Sequence, residues 1–175
     1  MIETDEVLLR RARRGESAAF VDFATRWWPA ISRVAWSMLG STTQAIAVTE
    51  EVIRTALESG EPPRLPVACS MYRLAIWLAI IRRRSSFGTA DRSVPLLAAL
   101  DGLDNLDRAA FLLREVEHVS ASEAATILEI PASELQARIH RARVCLTQAL
   151  WERRTGSVRG SNRLRRAAVQ GMVVR

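Results

Sequence analysis

Residues 111–150 read FLLREVEHVSASEAATILEIPASELQARIHRARVCLTQAL, and they are the part of the sequence that is most informative about the fold. Ser120 comes three residues before Glu123, which is the spacing of a capping box, in which each side chain satisfies a backbone N–H at the start of a helix. Further along, Pro131 disfavours helical backbone at Ile130 and begins a turn. The stretch therefore predicts a short helix, a tight turn and a second, longer helix.

The second of these helices has two contrasting faces. Apolar residues at steps of three and four predict its buried stripe, which comprises Leu135, Ile139, Ala142, Leu146 and Ala149. Small, polar and basic residues cover the rest, namely Ser133, Glu134, Gln136, Ala137, Arg138, His140, Arg141 and Arg143. Such a helix after a tight turn suits the major groove of DNA, although an ordinary helical hairpin with a solvated charged face fits the same pattern.

The charge of the chain points to a polyanionic partner. Its formal net charge is +6, and every basic residue is arginine. The arginines outnumber the acids most clearly in residues 61–99 and 151–175, and two basic segments on a near-neutral body are typical of proteins that bind nucleic acids. For residues 151–175 a solvated, disordered basic tail is the alternative.

Several classes of function are disfavoured. Cys69 and Cys145 do not form a disulfide framework, so we expect a reducing cytoplasm. With His118 and His140 they show no spacing typical of zinc ligands. We find no glycine-rich phosphate loop or nucleophile motif, so we expect neither an enzyme nor a cofactor. The N-terminus is too charged for a signal peptide, and the longest apolar stretch, 74–81, is too short to span a bilayer.

The periodicity predicts an all-α protein of two small helical domains joined by a short linker, the second containing a helix-turn-helix. The first domain covers residues 1–84, with helices at about 5–15, 16–39, 42–57 and 67–84, and Pro29 should kink or split the second of them. The linker is 85–95, the second domain 96–151, and the tail 152–175 should be disordered apart from a short helix near 164–169.

This order of motifs resembles bacterial RNA polymerase sigma factors of the extracytoplasmic-function class, over roughly residues 4–151. In the second domain the resemblance rests on 111–115, Ser120, Ala124-Ala125, Ile127-Leu128, Ile130-Pro131 and 138–143. In the first it rests on Gly15-Glu16, Ala19-Phe20, Pro29, Leu39-Gly40, 49–52, 72–75 and 78–80. Each piece is weak alone, but the set in this order is specific.

The resemblance implies that the chain binds core RNA polymerase, promoter DNA and an anti-sigma factor. The first domain would dock on the clamp helices of the polymerase and read the −10 element, while the second would read the −35 element. The implied DNA-binding residues are Ser133, Glu134, Gln136, Ala137, Arg138 and Arg141, with Arg82, Arg83 and Arg84 at the end of the fourth helix. The implied polymerase- or partner-binding residues are Ile46, Ala47, Glu50, Glu51 and Trp77.

The first domain departs from the family at functional positions. Ile46 and Ala47 replace an acidic pair that helps to hold the polymerase, and Ile76, Trp77 and Ile81 replace polar residues of the last helix. If exposed, Ile46, Trp77 and Ile81 would form an interaction patch. Trp77 either stacks on an unpaired base or, as is more common for tryptophan, lies in the core.

The linker is short for this family. Its eleven or so residues reach at most roughly 40 Å, whereas the two promoter elements lie about 60 Å apart at roughly 3.4 Å per base pair, so a closed packing of the domains becomes easier. We therefore expect a working sigma factor, with a sigma-like regulator that binds DNA or an anti-sigma partner without initiating transcription as the alternative. A simple helix-turn-helix repressor ranks last, because the chain shows no seam for a dimer.

Overall fold

The computed structural model describes residues 3–59, 65–85 and 95–171, with the side chains of 3–59, 65–84 and 96–152. The first domain contains α1 (Asp5–Arg13), α2 (Ser17–Leu39), α3 (Thr42–Glu58) and α4 (Val67–Ser85). The second contains α5 (Pro95–Asp101), α6 (Asn105–Phe111), a π-helical turn (Leu112–Val116), α7 (Ala121–Leu128) and α8 (Ala132–Gly171). The all-α class is confirmed. The predicted linker lies outside the described residues, apart from its two ends.

Local side-chain and backbone preferences set most of the helix ends. At α7 the Glu123 amide donates to the Ser120 hydroxyl and the Ser120 amide to the Glu123 carboxylate, both at 3.2 Å, so the predicted capping box is present. Asp104 caps α6 through the Leu106 amide at 2.9 Å. Gly40, at φ 67°, ends α2 in the left-handed conformation that glycine adopts without strain.

Pro29 does not split the second helix, because α2 runs from Ser17 to Leu39 with Pro29 inside it. A proline in a helix interior removes one backbone hydrogen bond and costs about 3 kcal/mol. Phe23 and Ile31, on the turns to either side, are fully buried against the rest of the first domain. Their burial stabilises the helix on both sides of Pro29 and offsets the local cost.

Residues 152–171, for which the sequence predicts a largely disordered tail, have a helical backbone in the structure. Helix α8 continues without a break to Gly171 and includes the short helix expected near 164–169. No proline interrupts residues 132–171, and the many alanines, leucines and arginines among them favour helix. Residues 172–175 lie outside the described part of the chain.

The two domains share one hydrophobic core. Helix α4 packs against α7, and α2 packs against α5 and α6. As a result, Met38 and Ile76 of the first domain belong to the same buried cluster as Leu113 and Leu135 of the second. A smaller cluster lies between α5 and α8, around Leu97, Leu100, Leu103 and Leu146. The closed packing that a short linker makes easier is the arrangement observed.

Candidate nucleic-acid interface

The helix-turn-helix places the first half of α8 at the surface of the second domain. The turn is tight, because Glu129 adopts a left-handed conformation with φ 57° and the Ile130 amide donates to the Ala125 carbonyl at 3.1 Å. The predicted stripe faces inward: Leu135, Ile139, Ala142 and Leu146 are buried and Ala149 is half-buried. The opposite face is open to solvent at Ser133, Gln136, Ala137, His140 and Arg141.

Arg138, one of the predicted DNA contacts, is held within the protein. Only 17% of its side chain is exposed. Its Nε and Nη2 donate to Glu134 at 2.9 and 2.7 Å, and its Nη1 donates to Asp107 at 2.9 Å. Burial alone would lower the pKa of Arg138, but the hydrogen bonds to Glu134 and Asp107 outweigh it and raise the pKa. The guanidinium therefore keeps its charge, but all three of its nitrogen atoms are engaged.

Arg141 shares the same carboxylate but faces solvent. Its Nε and Nη2 donate to Asp107 at 3.1 and 3.0 Å, while 51% of the side chain is exposed. Within the described residues its Nη1 makes no hydrogen bond. Arg141 is thus the guanidinium on this face with donor capacity left for a ligand.

Asp107 of α6 joins the two arginines. It is a buried residue, and burial alone would raise its pKa. Hydrogen bonds from Arg141 and Arg138 outweigh that effect and hold the pKa of Asp107 below its ordinary value of 3.8. The sequence analysis did not predict this role, since the pairs span 31 and 34 residues. The available signal was an acid beside the core-facing Leu106 and Ala110.

The predicted DNA-binding arginines at the end of α4 are mostly occupied. Arg82 donates to Glu51, which ties a predicted DNA contact to a predicted polymerase contact. Arg83 donates to the Asp101 carbonyl at 2.9 Å and pairs with its carboxylate at 2.8 Å, across the domain boundary. Arg84 is exposed. In this closed form Arg84 is the member of the triplet that stands out towards solvent.

Arg108 completes the same junction from the second domain. Its side chain is 2% exposed. Nη1 donates to the Met38 carbonyl at 2.7 Å, and Nη2 donates to the Leu100 carbonyl. Burial, reinforced by the nearby charge of Arg83, lowers the pKa of Arg108 to about 10. The Arg108 guanidinium therefore joins the C-terminal carbonyls of α2 and α5, where a helix dipole favours a cation.

Glu117 forms a second bond between the domains. Its side chain is 2% exposed. Arg33 donates to it from Nε and Nη2 at 2.6 and 2.7 Å, and the Tyr72 hydroxyl donates at 3.0 Å. Burial and then the charge of Glu117 raise the pKa of Tyr72, so its hydroxyl stays a donor. The ring of Tyr72 meets Trp27 edge-on, with centroids 5.8 Å apart.

Arg73 of α4 holds the helix-turn-helix directly. Its guanidinium donates to the carbonyls of Thr126 and, at 3.2 Å, Ile127, and it pairs with Glu129 at 2.8 Å. These groups lie at the C-terminal end of α7. The first domain therefore supplies the cation that caps the helix preceding the reading helix.

The predicted partner-binding residues of α3 and α4 are not all exposed. Ile46 and Glu50 are exposed, whereas Ala47 and Glu51 are half-buried. Trp77 is half-buried against the core and Ile76 is fully buried, while Ile81 is 57% exposed. The polar-to-apolar departures therefore divide into core positions and surface positions.

An apolar groove that the sequence did not reveal lies between α2 and α3. It has a volume of about 350 Å³ and is lined by Phe20, Ala24, Trp28, Glu50, Ile53, Arg54, Leu57 and Glu58. Phe20 is 43% exposed, because the groove leaves its ring uncovered. Among the predicted partner-binding residues, Glu50 lines it.

Two further observations bound the chemistry of the described residues. They contain no group of three or more histidine, cysteine or acidic side chains arranged to hold a metal ion. None of their helices is both long and apolar enough to cross a membrane.

Comparison with known proteins supports the resemblance. Residues 93–146 match the family model "Sigma-70, region 4". None of the curated proteins matches by sequence. The structure of CnrH in complex with the cytosolic domain of CnrY has a similar fold, with a TM-score of 0.70 and 23% identity over 85% of this chain and 97% of the matched chain.

A second structure has the same fold, the sigma factor RpoE in complex with the anti-sigma factor NepR from Bartonella quintana. Its TM-score is 0.59, with 18% identity over 74% of this chain and 96% of the matched one. The anti-anti-sigma factor PhyR complexed with NepR, from the same organism, is also similar, with a TM-score of 0.55 and 23% identity over 70% of this chain and 47% of the matched one. Residues 93–146 are therefore similar to sigma-70 region 4, and the chain shares its fold with these three structures.

Proposed function

We propose that this chain, whose residues 93–146 match the family model of sigma-70 region 4, is an extracytoplasmic-function sigma factor that binds core RNA polymerase and directs initiation at its own promoters. The observation that carries the proposal is the open face of α8. It follows a capped helix and a tight turn, and it presents Gln136, Ala137 and Arg141 beside one another at the surface.

The chemistry of that face suits a −35 element. Arginine donates to guanine O6 and N7 or to a phosphate, and glutamine pairs with adenine. Ser133 and Ala137 are small enough to let the helix approach base edges closely. In this proposal the exposed Arg141 makes the main contact with DNA. Arg138 is the more buried neighbour of Arg141, and Glu134 holds Arg138 in place.

The first domain supplies the polymerase contact. The lining of the groove between α2 and α3 is mostly apolar, and its charged members are Glu50, Glu58 and Arg54. Two acids against one arginine suit an apolar helix that carries basic residues. Glu50 joins the groove to the exposed Ile46 one turn away on α3. An anti-sigma factor is a second partner in this proposal, since the structures with this fold include complexes with the cytosolic domain of CnrY and with NepR.

A specific observation favours the alternative, a sigma-like regulator that does not initiate. The domains are closed on each other through Glu117, Arg73 and Arg108. Engaging two distant promoter elements requires those contacts to separate. A chain that stayed closed would bind an anti-sigma partner or one DNA element only.

Binding to core RNA polymerase tests the proposal. The purified chain is mixed with core polymerase at near-physiological salt, separated on a sizing column, and assayed for transcription from a library of genomic fragments. We expect co-elution and transcripts with defined start sites. Glu50→Arg should reduce co-elution at least tenfold, whereas Glu6→Arg, at an exposed position of α1, should not. A folded chain that neither co-elutes nor yields transcripts would overturn the proposal in favour of the regulator.

A further inference from the structure

The arginines of the reading face are neutralised by acids of their own domain. Arg138 and Arg141 carry two positive charges, and Asp107 and Glu134, which accept their hydrogen bonds, carry two negative charges. A third acid, Asp104, has its Oδ1 3.4 Å from Nη1 of Arg138. The cluster therefore has little net charge with which to attract a phosphate backbone, although it lies on the face proposed to meet DNA.

Asp107 is the member that controls both arginines. Its Oδ1 accepts from Arg138 and from Arg141, and its Oδ2 accepts from Nε of Arg141. Because Asp107 lies on α6 and is itself buried, its carboxylate is fixed relative to the core. Arg141 therefore starts from a defined position, and less side-chain entropy is lost when it binds a ligand.

DNA binding by this face should therefore depend less on net charge and more on the geometry of its hydrogen bonds. Free arginines on a helix contact phosphates of any sequence and strengthen binding without discrimination. A guanidinium held at Nε and Nη2 keeps Nη1 and the second hydrogen of Nη2, which lie on one edge, for a partner in one direction. Such a group binds a base more tightly when the acceptor of the base lies in that direction, and a phosphate elsewhere adds little to its affinity.

We propose that Asp107 is a positioning residue for promoter recognition, which holds Arg141 and Arg138 so that the second domain selects a base sequence instead of binding any DNA. The inference rests on the proposed function, since it assumes that the face of α8 meets DNA. It adds a determinant of specificity outside the helix-turn-helix itself. The carboxylate of Asp107 acts through the arginines and does not touch DNA.

The test compares full-length chains, with and without core RNA polymerase, in selection from a pool of randomised DNA duplexes followed by sequencing. We expect Asp107→Asn to enrich a less defined sequence than the wild type at the bases next to Arg141. On one fixed duplex, its affinity should also fall more steeply with salt, by a slope of about 0.9 for each arginine that gains a phosphate contact. An unchanged enriched sequence together with an unchanged slope would overturn the inference.

Two controls separate positioning from loss of charge. Glu115→Gln also removes one acid beside an α8 arginine, since Glu115 accepts from Arg143 at 2.6 Å, but it should leave the enriched sequence intact. In an Arg141→Ala background, Asp107→Asn should have little further effect on base preference. Full additivity of the two substitutions would contradict the proposed action through Arg141.

A variant that keeps the charge covers the case in which Asp107→Asn does not fold. Asp107→Glu retains the carboxylate but moves it by one methylene, so we expect a wild-type salt slope with an altered base preference. An identical preference would overturn the inference. If the wild type itself enriches no sequence with or without polymerase, the proposed function fails, and this inference fails with it. If the wild type enriches a defined DNA sequence and substitutions of Asp107 do not change that sequence, this inference alone is refuted.

Discussion

Glu117 and Asp107 are two nearly buried carboxylates of the second domain, and each accepts hydrogen bonds from arginine. The arginine that binds Glu117 lies across the domain boundary, whereas those that bind Asp107 lie in the same domain. Glu117 binds Arg33 and Tyr72 of the first domain. Asp107 binds Arg138 and Arg141 of its own domain. If the domains separate, Glu117 loses its partners while Asp107 keeps both. The same type of ion pair therefore stabilises the closed arrangement in one region and prepares the reading face in the other.

This difference shows what opening the molecule would change. Separation would free Glu117, release Arg73 from the end of α7, and break the hydrogen bond from Arg108 to the Met38 carbonyl. The reading face would be left as it is. A closed and an open form can therefore share one DNA-binding surface and differ in how the two domains are placed.

The largest effect is expected from Glu117→Gln. The amide removes the charge that both Arg33 and Tyr72 bind, and hydrogen bonds to a charged group contribute about 1.5–3 kcal/mol. We expect the free energy of unfolding to fall by about that amount, measured in urea. Small-angle X-ray scattering should show a larger radius of gyration. Glu115→Gln, which breaks an exposed pair inside one domain, should cost under about 1 kcal/mol and leave the radius unchanged.

The reading face should respond to Arg141→Ala and leave the interface intact. Loss of a base contact should weaken binding to the selected duplex by about 1–3 kcal/mol, as measured by fluorescence anisotropy. Arg138→Ala should also weaken binding, to the extent that Arg138 supports its neighbour. Neither substitution should alter the radius of gyration. A change in compactness after Arg141→Ala would mean that the two regions are coupled.

The contribution of Asp107 to stability should depend on pH. Its pKa in the folded state lies below the ordinary value of 3.8, so the charged form is favoured by folding. That contribution is present above the ordinary pKa and is lost as the pH falls through the folded pKa. We expect Asp107→Asn to be about 1–2 kcal/mol less stable than the wild type at pH 7, with the difference shrinking below about pH 4. A difference independent of pH would contradict the ion pairs.

The smallest effect is expected from Tyr72, the single tyrosine of the chain. Tyr72→Phe removes one hydrogen bond and should cost about 1 kcal/mol. Because the pKa of Tyr72 is raised above its ordinary value of 10.0, the stability it contributes is present below pH 10 and lost as the pH rises through the folded pKa. Ultraviolet absorbance should show phenolate formation at lower pH in Glu117→Gln than in the wild type. The same titration in both proteins would place Glu117 away from Tyr72.

Local patterns predicted the helices and the face of α8 but not the contacts between distant residues. The capping box at Ser120 and the stripe from Leu135 to Leu146 follow from spacing alone, because their partners lie within a turn or two. The bond between Arg33 and Glu117 joins residues 84 apart, and the hold of Asp107 on Arg141 depends on how α6 packs on α8. Spacing does not encode such pairs, so the exposed Arg138 implied by the resemblance is instead mostly buried.

The closed arrangement and its opening can be followed through the distance between the two domains, in the free chain and in the chain bound to core RNA polymerase. A spin label on the exposed Cys145 of α8 and another on Glu6→Cys of α1, with Cys69 left buried, allow it to be measured by electron–electron resonance. We expect one short distance in the free chain and a clear lengthening when polymerase and promoter DNA bind. A chain that is already open when free, or that binds polymerase and promoter DNA without any change in distance, would overturn the proposal of a closed form that opens at a promoter.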